Sequence, residues 1–102
     1  MATPLTVGIG VSEDGAAVLT VAGEIDLSNV DVLQRAIAEA MTPASHDGGV
    51  LTIDFSGVEY LDSTAIDVLF AHADRIRLIV NPMLMPILKV SGLTNVASVE
   101  PG

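Results

Sequence analysis

Val50-Leu-Thr-Ile-Asp-Phe-Ser-Gly-Val-Glu-Tyr-Leu-Asp-Ser-Thr-Ala-Ile-Asp-Val-Leu-Phe70 reads as a buried strand that passes through a short turn to a pair of hydroxyls at a helix start. The strand rests on the β-rich core Val50 to Phe55, and the turn on Ser56-Gly57. Asp62 and Ser63 are the N-cap candidates for a helix running from about Ser63 to Asp74.

Working outward, Leu5 to Val11 and Ala16 to Ala22 read as two strands joined by the turn Ser12-Glu-Asp-Gly15, which is a hairpin. After Gly23-Glu-Ile-Asp26 the period changes. Val30, Leu33, Ile37 and Met41 fall on one helical face, capped by Ser28 or Asn29. Thr42 to Gly49 is a loop by composition, and a crossover of this length suits parallel strands. Beyond the central helix, Ile76 to Val80 is a further strand, and Pro82 opens a short helix that stops at Gly92. A short terminal strand is expected around Val96 to Val99. The order β-β-α-β-α-β-α predicts an α/β fold, with helices packed on a mixed sheet of four to five strands. At 102 residues, half of them hydrophobic, residues 1–102 are expected to form one domain.

Thirteen acidic residues against four basic ones give a formal charge of −9, which repels nucleic-acid phosphates and anionic lipid and favours a basic partner surface. The absence of cysteine excludes a disulfide framework, thiol chemistry and thiolate-bound zinc. His46 and His72 are isolated, so no metal is expected, and the glycines match no dinucleotide or phosphate-loop pattern, so no cofactor is expected. The N-terminus lacks the basic and apolar regions of a secretion signal. The most apolar stretch, Ile76 to Val90, is broken by Arg77, Asn81, Pro82, Pro86 and Lys89. A cytoplasmic location is therefore expected.

Ser63 is the sharpest candidate site, because a helix N-terminus offers free N–H groups and a positive dipole end to a phosphate. Ordinary capping is the commoner role of such a serine, and Asp62 is able to cap in its place. Thr64, Asp67, Ala71 and Asp74 lie near one stripe of this helix, a candidate docking face. Ile66, Leu69, Phe70 and Ala73 form the stripe expected to meet the sheet. Asp26 follows a strand end, and loops after parallel-related strands gather at one sheet edge, so it is placed beside the Ser63 turn. Glu24 and Asp26 also read as a carboxylate pair, but no partner base or oxyanion site accompanies them, so no enzyme is expected.

Gly23-Glu-Ile-Asp26, Asp54-Phe-Ser-Gly-Val-Glu-Tyr-Leu-Asp-Ser-Thr64 and Ser91-Gly-Leu93, in this order, resemble the STAS domain of bacterial anti-sigma factor antagonists. The resemblance spans most of the chain, and its middle stretch is the specific one. It implies a STAS-like fold and a binding protein that engages an anti-sigma factor, a serine kinase, and is released by phosphorylation. It assigns the accepting hydroxyl to Ser63, with Thr64 as the alternative, and sets Asp26, Asp62 and Glu24 around it. The docking face it implies is Thr64, Ala65, Asp67, Ala71 and Asp74.

The chain departs from that family in three places. Ala65 stands where a glycine usually follows the hydroxyl pair, and its methyl is expected to narrow a kinase's approach. The exit from the central helix to Ile76 is about two helical turns shorter. Pro86 is expected to delay or kink the last helix, and Met83 and Met85 leave apolar surface for a partner or a second copy of the chain. The competing reading is an unphosphorylated STAS accessory module that binds a nucleotide or a transporter ATPase.

Overall fold

The strand pattern appears most plainly in β2 (Ala17–Ile25), where Ala17, Leu19, Val21 and Ile25 are buried and the intervening side chains are half-buried or exposed. That alternation means one covered face. A computed structural model describes residues 4–13, 15–41 and 50–102. The expected loop at 42–49, with His46, and the turn residue Asp14 lie outside the described residues.

Five strands form one mixed sheet in the spatial order β1-β2-β3-β4-β5, with β1 (Thr6–Val11), β3 (Leu51–Leu61), β4 (Ile76–Val80) and β5 (Ser98–Pro101) beside β2. The β1–β2 pair is antiparallel, and every later neighbour is parallel. Because each crossover steps the same way, the uniform handedness of such connections sends the helices to one face. Those helices are α1 (Val30–Ala40), α2 (Ser63–Ala71) and α3 (Met85–Ser91). Leu33 and Ile37 of α1, Leu69 of α2 and Leu88 of α3 join Leu19, Ile53, Phe55 and Leu78 of the strands in one cluster, all fully buried.

The central strand does not stop at Ser56-Gly57, as the sequence suggests. It runs on to Leu61. Its inward residues are Leu51, Ile53, Phe55, Val58 and Leu61, so the period of two lengthens to three after Phe55. The register explains the change: Thr20 pairs with Asp54 but Ala22 with Gly57, and Gly23 with Val58 but Glu24 with Tyr60. β3 therefore carries an extra residue at each of two bulges. At the first, the Asp54 carboxylate accepts the Ser56 N–H at 2.9 Å and the Ser56 hydroxyl at 2.6 Å. A Cβ on Gly57 would lie 3.0 Å from that of Ala22, which suits glycine to the bulge.

α2 ends at Ala71, short of the expected Asp74, and a 3₁₀ turn over Ala73–Arg75 leads into β4. Phe70 is 38% exposed and so does not belong to the sheet-facing stripe. Ahead of α3, a 3₁₀ turn over Pro82–Leu84 is capped by Asn81, whose side chain accepts the Met83 N–H at 3.1 Å. Pro86 thus falls in the first turn of α3, where its missing N–H costs nothing. β5 begins at Ser98, two residues later than Val96, after a further 3₁₀ turn at Leu93–Asn95.

Candidate functional site

The carboxyl ends of β2 and β3 lie side by side, with Ile25 paired to Leu61, and both chains turn there into helices. Asp62 is the hinge between the two turns. Its N–H donates to the Ile25 carbonyl at 3.2 Å, and one carboxylate oxygen accepts the Leu27 N–H at 3.1 Å. The other oxygen accepts the N–H groups of Thr64 at 3.0 Å and Ala65 at 3.3 Å, and also the Thr64 hydroxyl. Asp62, rather than Ser63, is therefore the N-cap of α2.

The Thr64 hydroxyl bond, and then the three backbone N–H donors, hold the Asp62 carboxyl below its usual range against the opposing effect of burial. The carboxylate is ionised at neutral pH. With Asp62 in the capping role, the exposed Ser63 hydroxyl has no hydrogen-bond partner among the described residues. Thr64, the alternative acceptor, is half-buried and its hydroxyl is committed to Asp62.

The facing loop is built from Gly23 to Asn29. Gly23 has φ of 103°, and a Cβ there would lie 2.1 Å from the Pro4 carbonyl oxygen, so the crossing of residues 4 and 5 demands glycine. The Asp26 carboxylate accepts the Ser28 N–H at 2.9 Å and the Ser28 hydroxyl. Asn29 accepts the Asp26 N–H at 2.9 Å and donates to the Glu24 carbonyl at 3.0 Å. Asn29 occupies the N-cap position of α1 yet makes no side-chain cap bond; it braces the loop instead.

Asp26 and Asp62 are thus brought together through Leu27, the residue between them in the bonded network. Glu24 stands farther back, paired with Tyr60 on the face that alternates away from the core. Of the expected docking face, Asp67, Ala71 and Asp74 are exposed. Ala65 is not: it is fully buried in the core cluster, so it neither contacts a partner nor narrows the approach to Ser63. Phe70 instead joins the exposed helical stripe of Ser63, Asp67 and Ala71, and Asp74 is exposed beyond the helix end, in the 3₁₀ turn.

Leu27, 74% exposed in the loop, and Tyr60, 50% exposed, are apolar surface near these strand ends that the sequence reading did not single out. An apolar residue inside the polar run Asp26-Leu-Ser-Asn29 was the available signal for Leu27. No group of three or more potential metal ligands occurs among the described residues. A cleft of about 490 Å³, lined by Ser12, Glu13, Ala16, Val18, Thr52 and Arg77, lies away from this site on the uncovered sheet face.

Residues 9–97 match the family model described as "Mlab, STAS domain", and the chain belongs to the STAS-domain family. Among curated proteins it is similar to the anti-sigma-F factor antagonist RsfB of Mycobacterium tuberculosis, with 35% identity over 77 residues. That match covers 74% of this chain and 61% of RsfB, so the chain spans less than two thirds of that relative's length. The fold is that of an anti-sigma factor antagonist from Mycobacterium paratuberculosis, with a TM-score of 0.83 and 24% identity over 97% of this chain and 87% of that one. Unphosphorylated SpoIIAA, also an anti-sigma factor antagonist, superposes with a TM-score of 0.68 and 18% identity, covering 92% of this chain and 87% of its own.

Proposed function

We propose that this chain is an anti-sigma factor antagonist, a non-enzymatic cytoplasmic protein acting as one binding module over residues 1–102, and that phosphorylation of Ser63 by its anti-sigma factor kinase switches it off. The observation that carries the reading is the division of labour at the start of α2. Asp62 takes the capping bonds and occupies the Thr64 hydroxyl, and the exposed Ser63 hydroxyl is left without a partner. A kinase needs an accessible hydroxyl that the fold does not require. The resemblance to RsfB supports the same role, since that relative is named an anti-sigma-F factor antagonist.

Phosphate on Ser63 adds about two negative charges beside the ionised Asp62 and the neighbouring Asp26. The Thr64 and Ala65 N–H groups, which would otherwise receive the phosphate, already bond to Asp62. The added charge therefore points outward, and repulsion and crowding at the docking stripe of Asp67, Phe70, Ala71 and Asp74 release the partner.

Intact-mass analysis after incubation with candidate anti-sigma kinases and ATP tests the proposal. The wild-type chain gains one phosphate, and Ser63→Ala gains none while still binding the kinase. Phosphate entering Ser63→Ala refutes the assignment. The competing reading is an unphosphorylated STAS module that binds a nucleotide or a transporter ATPase. A stable complex without any gain in mass supports that reading instead.

A further inference from the structure

We propose that two copies of this chain pair through the outer edge of β1, which no strand among the described residues covers, antiparallel about Ile9, to form a continuous ten-stranded sheet with two-fold symmetry. Within β1, Val7-Gly8-Ile9-Gly10-Val11 reads the same in both directions. Antiparallel pairing centred on Ile9 sets Ile9 against Ile9, each valine against a valine and each glycine against a glycine. Self-complementarity of this kind is what a two-fold interface requires and what a foreign strand does not.

The hydrogen-bond phase agrees with that register. Ser12 lies opposite Ala16 and donates to its carbonyl at 2.8 Å, in line with the pairing of Val11 to Ala17. Since hydrogen-bonded and non-bonded pairs alternate along an antiparallel ladder, Gly10, Gly8 and Thr6 direct their backbone groups to β2. Val7, Ile9 and Val11 then direct theirs to the outer edge of the sheet. These are the residues that face one another in the Ile9-centred register, so each pair exchanges both of its N–H···O=C bonds.

The side chains carry the same message. Val7, Ile9 and Val11 lie opposite Val21, Leu19 and Ala17, on the core face, yet are 40%, 47% and 72% exposed. A second copy extends this apolar strip and covers it. Gly8 and Gly10 have no positive φ, and a Cβ at either would meet nothing within 4 Å, so nothing in the described chain calls for glycine there. In the proposed ladder they form the closely spaced non-bonded pairs, where small residues let the strands approach.

The two sheet edges differ accordingly. β5 is four residues long and ends on Glu100 and Pro101, devices that discourage strand addition, whereas β1 has six residues with no charge, proline or bulge in its register. The groove beside Val7 is walled by Val32, Ala36 and the oppositely charged Arg35 and Glu39, so the strand ladder is not opposed by like charge at that wall.

Sedimentation of the full chain in a concentration series up to about 1 mM should show a mass approaching twice 10.5 kDa. Ile9→Pro removes an edge-facing N–H without touching the bonds to β2, and should return the mass to that of one chain with an unchanged circular dichroism spectrum. Because the chain has no cysteine, Ile9→Cys adds a unique thiol on the two-fold axis. It should form an intermolecular disulfide about tenfold faster than Val90→Cys, whose parent valine is 88% exposed on α3. A wild-type chain that stays monomeric throughout overturns the proposal. So does a folded Ile9→Pro variant that still dimerises, or equal cross-linking of the two thiols.

Discussion

Two helices start at the same edge of the sheet, and they use similar polar residues to opposite ends. At α1 the run Asp26-Leu-Ser-Asn29 consumes its own side chains: Ser28 bonds Asp26, and Asn29 braces the backbone of Glu24 and Asp26. At α2 one residue, Asp62, caps the helix, fixes Thr64 and reaches across to Leu27. Concentrating the structural bonds in Asp62 is what frees Ser63. A loop that shares its bonds among all its polar groups leaves none of them unbonded, whereas one that assigns them to a single carboxylate leaves a hydroxyl without a bond.

The comparison breaks first at Ser63. Ser63→Ala should abolish phosphate incorporation altogether while shifting stability by less than about 0.5 kcal/mol, as for other surface substitutions that remove no bond. Thermal unfolding beside the mass measurement separates the two effects. Asp62→Ala should act the other way, costing about 1–2 kcal/mol through the lost cap. That loss corresponds to a fall of roughly 5–10 °C in Tm for a domain of this size. Asn29→Ala should cost about 1 kcal/mol, because two backbone groups of the loop lose their partner. Since Asp62 and Asn29 both hold the Asp26–Leu27 turn, the double variant should fall short of additivity or exceed it by more than about 0.5 kcal/mol.

Much of this arrangement was legible in the sequence. The alternation in β2, the helical period of α1 and the Asp62-Ser63 start of α2 follow local rules that hold here. The length of β3 was not legible, because each bulge moves the inward face by one residue and a sequence reader takes the broken alternation for an ending. Phe70 and Ala65 were misplaced for a related reason. A nine-residue helix offers few turns from which to set the phase of its buried stripe, and a small alanine filled the core where a phenylalanine was expected. The sequence offers Ser28 or Asn29 as the cap of α1 because both residue types prefer that role, and only the neighbouring strand end shows that the Asn29 amide has other partners.

The finest test isolates the charge of Asp62 from its cap. Asp62→Asn keeps an acceptor for the Thr64 and Ala65 N–H groups, but offers the Leu27 N–H an amide in place of the second carboxylate oxygen. The wild-type carboxyl is held below the ordinary aspartate value of 3.8 by its hydrogen bonds, led by the Thr64 hydroxyl. A carboxyl depressed in the folded state binds its proton less readily there than in the unfolded chain, so its stabilising contribution is complete above the unfolded value. That contribution is lost as the pH falls through the lower, folded value. The difference in urea midpoint between wild type and Asp62→Asn should therefore stay level from neutral pH down to about 4 and shrink below it. Taking the difference cancels the other carboxylates, which titrate in both chains. A difference that grows on acidification would mean that Asp62 is more readily protonated in the fold, and that the hydrogen bonds at the start of α2 do not outweigh its burial.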